Sequence, residues 1–162
     1  MENYDIGNLK KHYDKLSKEE KTVRLAAFYI ILEGRRADIG ELSERTSLTR
    51  EQVESCILKL KKSGALVVDH TSAVVGSHGL SMLPTPHGLH INGRDLFTWC
   101  AADAIGIPAA MEADAEIISS CAFCKETIAI KISKGQVVYC SKPEIRLWVV
   151  EADLGKPISG CT

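Results

Sequence analysis

Apolar residues recur at helical spacing through the first third of the chain, and this pattern predicts three helices. Ser17 and Glu20 form a capping box at the predicted start of the first helix, and Thr49 and Gln52 form another at the start of the third. The apolar faces comprise Val23, Ala26, Ala27, Ile30 and Ile31 in the first helix, Ile39 and Leu42 in the second, and Val53, Cys56, Ile57 and Leu60 in the third.

The segment that follows these helices, residues 65–77, has two apolar stretches around a polar turn. This pattern is typical of a β-hairpin. Three helices followed by a hairpin indicate a winged helix-turn-helix arrangement, so we expect a winged-helix-like domain over residues 1–80.

The second half of the chain has a different pattern and predicts a separate α+β domain over residues 81–162. Residues 83–93 are rich in Pro, Gly and His and mark the boundary, with His87 and His90 as solvated linker residues. Asp95 is expected to cap a helix over residues 96–105, which Gly106 and Pro108 would stop. Alternating apolar residues predict strands over residues 126–133, 136–140 and 145–151. The predicted fold class is therefore α+β, with the three-helix region packed on a mainly antiparallel sheet domain that carries a catalytic helix.

Composition and charge narrow the possible classes of protein. The 162 residues are 45% hydrophobic, which is enough for a packed core, and the formal net charge is -1. No apolar run approaches the roughly 20 residues that a membrane-spanning helix needs. The polar N-terminus lacks the apolar stretch of a signal peptide, so a cytoplasmic location without membrane association is expected.

The predicted third helix shows little sign of nucleic-acid binding. Its exposed positions include the acidic Glu51 and Glu54 in the half that would enter a DNA groove. Residues 1–70 contain 13 Lys and Arg against 12 Asp and Glu, a difference of only one charge. Because DNA-binding modules carry a clear basic surface, these counts favour a winged helix used for packing.

Six cysteines are the most distinctive feature of the composition. In a cytoplasmic protein they are expected to be thiols or metal ligands, with Cys56 and Cys140 as core residues. Cys100 and Asp103 are three residues apart, which on one helix would place both side chains on the same face. Spacing alone also fits a buried cysteine next to a surface aspartate.

The wider context of Cys100 resembles the organomercurial lyase (alkylmercury lyase) family. The signature of that family is an Asp/Asn-Gly turn, a helix that begins Leu-aromatic-x-Trp-Cys-Ala-x-Asp, and then a proline. The matching residues here are Asn92-Gly93, then Leu96-Phe97-Thr98-Trp99-Cys100-Ala101-Ala102-Asp103, then Pro108. The segment Ser119-Ser120-Cys121 is similar to the downstream pattern of the family. The resemblance covers residues 15–162 and is strongest over residues 90–133.

This resemblance implies a chemistry and a set of site residues. The family cleaves carbon–mercury bonds by protonolysis, and mercury is a soft ion that prefers thiolates. Cys100 matches the first catalytic and mercury-binding cysteine, and Asp103 matches the proton-shuttling aspartate at the metal. Cys161 is the counterpart of the second catalytic thiolate that binds mercury. The family continues beyond this point, so the resemblance describes a short or C-terminally truncated variant.

Cys121 and Cys124 form a C-x-x-C pair for which we expect a structural or auxiliary thiol role. A structural zinc site would need a second such pair or added histidines, and the remaining cysteines do not have that spacing.

The leading hypothesis is a detoxifying enzyme that cleaves carbon–mercury or related carbon–metal bonds, with a small organometal compound as substrate. It would use no organic cofactor. External cellular thiols, or a mercury-accepting protein, would remove the Hg(II) product. Two alternatives remain open at this point, a metal or organometal carrier without turnover and a metal-responsive winged-helix regulator.

Overall fold

The computed structural model describes residues 14–147. Four helices lie in this range: α1 (Lys18–Leu32), α2 (Ile39–Thr46), α3 (Arg50–Lys62) and α4 (Ala101–Ala110). Both predicted capping boxes are confirmed, at Ser17 for α1 and at Thr49 for α3. The predicted apolar faces of these helices are buried together in one core that includes Val23, Ile30, Leu42, Val53 and Leu60.

Eight strands of the described residues form one antiparallel sheet. Their order across the sheet is β1-β2-β3-β5-β4-β6-β7-β8. The strands are β1 (Leu66–Val68), β2 (Val74–Ser77), β3 (Leu80–Ser81), β4 (His87–Ile91), β5 (Arg94–Thr98), β6 (Ala115–Ser120), β7 (Thr127–Ser133) and β8 (Gln136–Cys140). The predicted α+β class with an antiparallel sheet is confirmed.

The hairpin that the sequence predicts after the three helices is present as β1 and β2. These strands are the first two of the large sheet, because β2 also pairs with β3, and β3 pairs with β5. The sheet therefore runs through Leu80–Ser81, the point at which the sequence suggested a domain boundary. The winged-helix assignment and the division at residue 80 remain predictions.

The expected helix over residues 96–105 is wrong in its first half. Asn92 and Gly93 both have positive φ (53° and 69°), as a type I′ turn requires, and they join β4 to β5 in a tight hairpin. Leu96 and Thr98 of β5 are buried, whereas Phe97 between them is only partly buried. The segment forms strand β5 instead of a helix. β5 pairs with β4 on one side and β3 on the other, so the backbone hydrogen-bonding groups on both of its edges have partners.

The helix begins later than predicted and also ends later. Cys100 is the N-cap of α4, where Asp95 was expected to be, and the helix continues through Gly106 and Pro108 to Ala110. Pro108 removes one backbone donor but is buried with Ile107. α4 packs against β4, β5, β6 and β7, so burial of its apolar face offsets the unfavourable residues inside it.

The C-terminal strands agree with the predicted alternation. Ile130 and Ile132 of β7 are buried, Ile128 is partly buried, and Lys131 is exposed on the other face. β8 pairs with β7 as expected. The predicted strand over residues 145–151 lies mostly outside the described residues. Cys56 is buried in the helical core and Cys140 is partly buried, as expected.

Candidate active site

Cys100 and Asp103 form a direct contact at the start of α4. The Cys100 thiol donates a hydrogen bond to Oδ2 of Asp103 over 3.1 Å. The sequence predicted that the two side chains would be neighbours, but on one helical face. The contact arises instead because Cys100 is the N-cap and Asp103 is the third residue of the helix, two positions that face each other at a helix start.

The backbone around Cys100 is fixed from both sides. Thr98 is fully buried, and its hydroxyl donates to the carbonyl of Cys100 over 3.0 Å. The N–H of Trp99 donates to the carbonyl of Gly79 over 2.7 Å, and the Trp99 side chain is buried. Cys100 is therefore held between the end of β5 and the β2–β3 turn, with its thiol directed at Asp103.

Gly79 is a residue of the site that the sequence did not single out. It lies in the β2–β3 turn with φ of +82°, and a Cβ at this position would lie 2.3 Å from Cγ of Asp103. No side chain fits in that space. The contact joins residues 24 positions apart in the chain, so no local sequence signal could have identified it.

Burial sets the protonation of the two groups. Burial, together with the negative charge of Asp103, raises the pKa of the Cys100 thiol to about 12, so Cys100 carries its proton at neutral pH. Burial also raises the pKa of Asp103 above its usual value, although the hydrogen bonds from Cys100 and the charges of His87 and Arg24 oppose this shift. The site therefore holds a neutral thiol next to a carboxylate of increased basicity.

The sequence interpretation of His87 as a solvated linker residue is wrong. His87 begins β4, is partly buried, and its Nδ1 lies 3.1 Å from the hydroxyl of Ser119 on β6. Burial lowers the pKa of His87, and the charge of Asp103 opposes that shift. His87 therefore lies within electrostatic range of the Asp103 carboxylate. His90, on the same strand, is exposed and is paired with Asp95.

Three other cysteines were predicted as site residues. Cys121 and Cys124 are in the turn between β6 and β7, and their thiols interact with each other. Neither is among the groups that set the pKa of Cys100. Cys161, the predicted second thiolate, lies outside the described residues.

The fold and the site define a class of protein: an α+β protein in which a partly buried thiol at a helix start contacts a carboxylate. Comparison with known proteins identifies the family. The family model of the alkylmercury lyases matches residues 80–162, and the chain belongs to this family.

Individual relatives agree with this assignment. The chain is 28% identical to an alkylmercury lyase from Streptomyces lividans over 108 residues, and 27% identical to one from Staphylococcus epidermidis over 109 residues. Each match covers 67% of this chain but only 48% and 49% of those relatives, so the chain spans about half their length. Among solved structures, the mercury-bound form of MerB2 has a TM-score of 0.87 and 30% identity, with coverage of 95% of this chain and 77% of that chain.

Proposed function

We propose that this protein is an organomercurial lyase that cleaves a carbon–mercury bond by protonolysis. The observation that carries the proposal is the 3.1 Å hydrogen bond from the Cys100 thiol to Asp103, in a chain that belongs to the alkylmercury lyase family. A soft sulfur ligand and a proton carrier in direct contact are the two groups that this reaction needs first.

The first step is capture of the organomercury cation by Cys100. The S–H bond of Cys100 breaks, an S–Hg bond forms, and the proton passes to the Asp103 carboxylate. Since the pKa of Cys100 is about 12, the free thiolate is scarce at neutral pH, and a neighbouring base favours capture by taking the proton as mercury arrives. The raised pKa of Asp103 makes this carboxylate a better acceptor than an ordinary aspartate.

The second step is cleavage. A second sulfur must bind mercury to increase the electron density on carbon, and we assign this role to Cys161 by its resemblance to the family. The S–H bond of Cys161 breaks, a second S–Hg bond forms, and this proton leaves to solvent. The proton on Asp103 then passes to carbon, and the electron pair of the C–Hg bond becomes the new C–H bond. The hydrocarbon leaves, and Hg(II) remains on two sulfurs without any change of oxidation state, so the balance requires no organic cofactor.

Release of Hg(II) requires competing thiols, and we propose small cellular thiols or a mercury-accepting protein as partners. No disulfide joins the cysteines of the described residues, which supports a reducing compartment such as the cytoplasm. Within residues 14–147, no helix is long and apolar enough to cross a membrane.

The proposal is tested by measuring hydrocarbon release from phenylmercury and methylmercury in the presence of excess thiol. Wild type is expected to release benzene and methane over many turnovers, and Cys100→Ser and Cys161→Ser are expected to release neither. Cys140→Ser is the matched control, because its thiol donates only to the carbonyl of Lys142 and is remote from Asp103 in the sheet order. Retention of mercury by wild type without hydrocarbon release would instead identify a carrier.

A further inference from the structure

The turn between β6 and β7 presents two thiols at the surface. Cys121 is partly buried and Cys124 is exposed, and neither is in a disulfide. Phe123 between them is 97% exposed, so the tip of the turn projects into solvent. Cys124 is therefore accessible to a ligand, and Cys121 is partly accessible, as Cys100 is.

Backbone hydrogen bonds hold this turn in one conformation. The N–H of Cys121 donates to the carbonyl of Glu126 over 2.9 Å, and the N–H of Lys125 donates to the carbonyl of Cys121 over 3.0 Å. Lys125 has a φ of 60°, which lets the chain reverse within these few residues. The turn thereby places the thiols of Cys121 and Cys124 close enough to interact with each other before any ligand is present.

Several polar groups surround the two sulfurs. The backbone N–H groups of Cys124 and Phe123 face the sulfur of Cys121. The Cys124 thiol donates to Oε2 of Glu126 over 3.4 Å, and Lys142 from the end of β8 is paired with the same carboxylate. A carboxylate and an ammonium group thus lie next to the pair, one able to accept a departing proton and the other able to balance negative charge.

We propose that Cys121 and Cys124 form a second soft-metal site that binds one Hg(II) ion as a bis-thiolate. Two S–H bonds break, two S–Hg bonds form, and two protons leave to solvent, so no oxidant or reductant is involved. Soft thiolates select mercury over harder ions. A structural zinc ion prefers four protein ligands, and within residues 14–147 there is no cluster of three or more His, Cys, Asp or Glu able to hold a metal.

This site is separate from Cys100 and does not depend on the proposed lyase activity. Cys100 follows β5 and Cys121 follows β6, and β4 lies between these two strands. Both cysteines lie at the same end of the sheet, because His87 at the start of β4 is opposite Ser119 near the end of β6. Two strand spacings correspond to roughly 10 Å between the backbones of the two sites.

The test uses the reduced full chain carrying Cys100→Ser, so that the thiol of the proposed active site cannot contribute. HgCl₂ is added with excess 2-mercaptoethanol, and retained mercury is counted by native mass spectrometry after desalting. A held dithiol outcompetes a free monothiol through its effective concentration, by a factor on the order of 10² to 10⁴. The Cys100→Ser protein is expected to retain one Hg(II) that the monothiol does not remove.

Further substitution of Cys121→Ser, Cys124→Ser or both should lose that ion, whereas Cys140→Ser should keep it. Unchanged melting temperatures would show that the serine variants remain folded. Equal mercury retention with and without the two turn cysteines would overturn the proposal. This result would leave the lyase proposal untouched, because all of these proteins lack Cys100.

Discussion

Gly79 lies directly against Asp103, and a Cβ at Gly79 would stand 2.3 Å from Cγ of that carboxylate. The β2–β3 turn therefore forms one wall of the site, on the side of Asp103. Positive φ alone does not produce such a close approach. Gly93 in the β4–β5 turn also has positive φ, but a Cβ added there would have no atom within 4 Å.

Gly79→Ala is expected to abolish most hydrocarbon release, because the added methyl group must displace Asp103 from Cys100. The positive φ adds strain, so we also expect a loss of about 1–3 kcal/mol in the free energy of unfolding. Gly93→Ala is the matched control, with similar backbone strain and no clash, and should retain activity. Activity assays and denaturant unfolding of both variants test this expectation. Equal activities of the two variants would contradict the assignment of Gly79 to the wall of the site.

Asp103→Asn is expected to make Cys100 more acidic. The carboxylate charge contributes to the raised pKa of Cys100, so its removal should lower that pKa and move the pH profile of thiol alkylation towards lower pH. Because the pKa is a logarithmic quantity, lowering it by about one gives roughly ten times more Cys100 thiolate at pH 8. The measurement is the iodoacetamide rate at Cys100, followed by peptide mass spectrometry. Glu126→Gln, which neutralises a carboxylate in the β6–β7 turn, should leave the Cys100 profile unchanged.

The same Asp103→Asn variant is expected to be more stable than wild type at pH 7. The folded-state pKa of Asp103 is raised, so the folded protein takes up this proton before the unfolded chain as the pH falls. The ionised carboxylate therefore destabilises the folded protein above the folded-state pKa of Asp103. This destabilisation decreases as the pH falls through the folded-state pKa towards the pKa of the unfolded chain. We expect a gain of about 1 kcal/mol, or a few degrees in Tm, at pH 7 and a smaller gain near pH 4. A destabilised variant at pH 7 would contradict this account.

Gly106→Ala is expected to stabilise the protein by up to about 1 kcal/mol. Gly106 lies inside α4, and a Cβ added at this position would have no atom within 4 Å. Alanine therefore adds helix propensity without a clash. If the helix stopped at Gly106, as the sequence suggested, alanine would bring no such gain. Thermal unfolding of the variant distinguishes the two possibilities.

Local signals were sufficient for the elements that depend on local chemistry. The capping residues Ser17 and Thr49, the Asn92-Gly93 turn and the alternation in β7 each act within a few residues, and the structure has each of them as predicted. The segment around Leu96 was assigned to a helix because Asp95 could cap one, although a short apolar run of this kind also fits a strand. Backbone pairing with β3 and β4 makes this segment a strand. Neither β3 nor β4 was recognised as a strand in the sequence.

The site was predicted in part, and for an incomplete reason. The proximity of Cys100 and Asp103 follows from a spacing of three, which brings side chains together both along a helix and across its first turn. The neighbours of Asp103 could not be predicted in this way. Gly79 and His87 reach it through strand order and packing, and these depend on the whole sheet.

The most direct test of the account is a single-turnover experiment with phenylmercury that separates capture from cleavage. We predict that Asp103→Asn binds phenylmercury at Cys100, seen as a mass adduct that Cys100→Ser lacks, and releases benzene at least about 10²-fold more slowly than wild type. In D₂O, the benzene released by wild type should carry one deuterium. Benzene release by Asp103→Asn at the wild-type rate would contradict the assignment of Asp103 as the proton carrier.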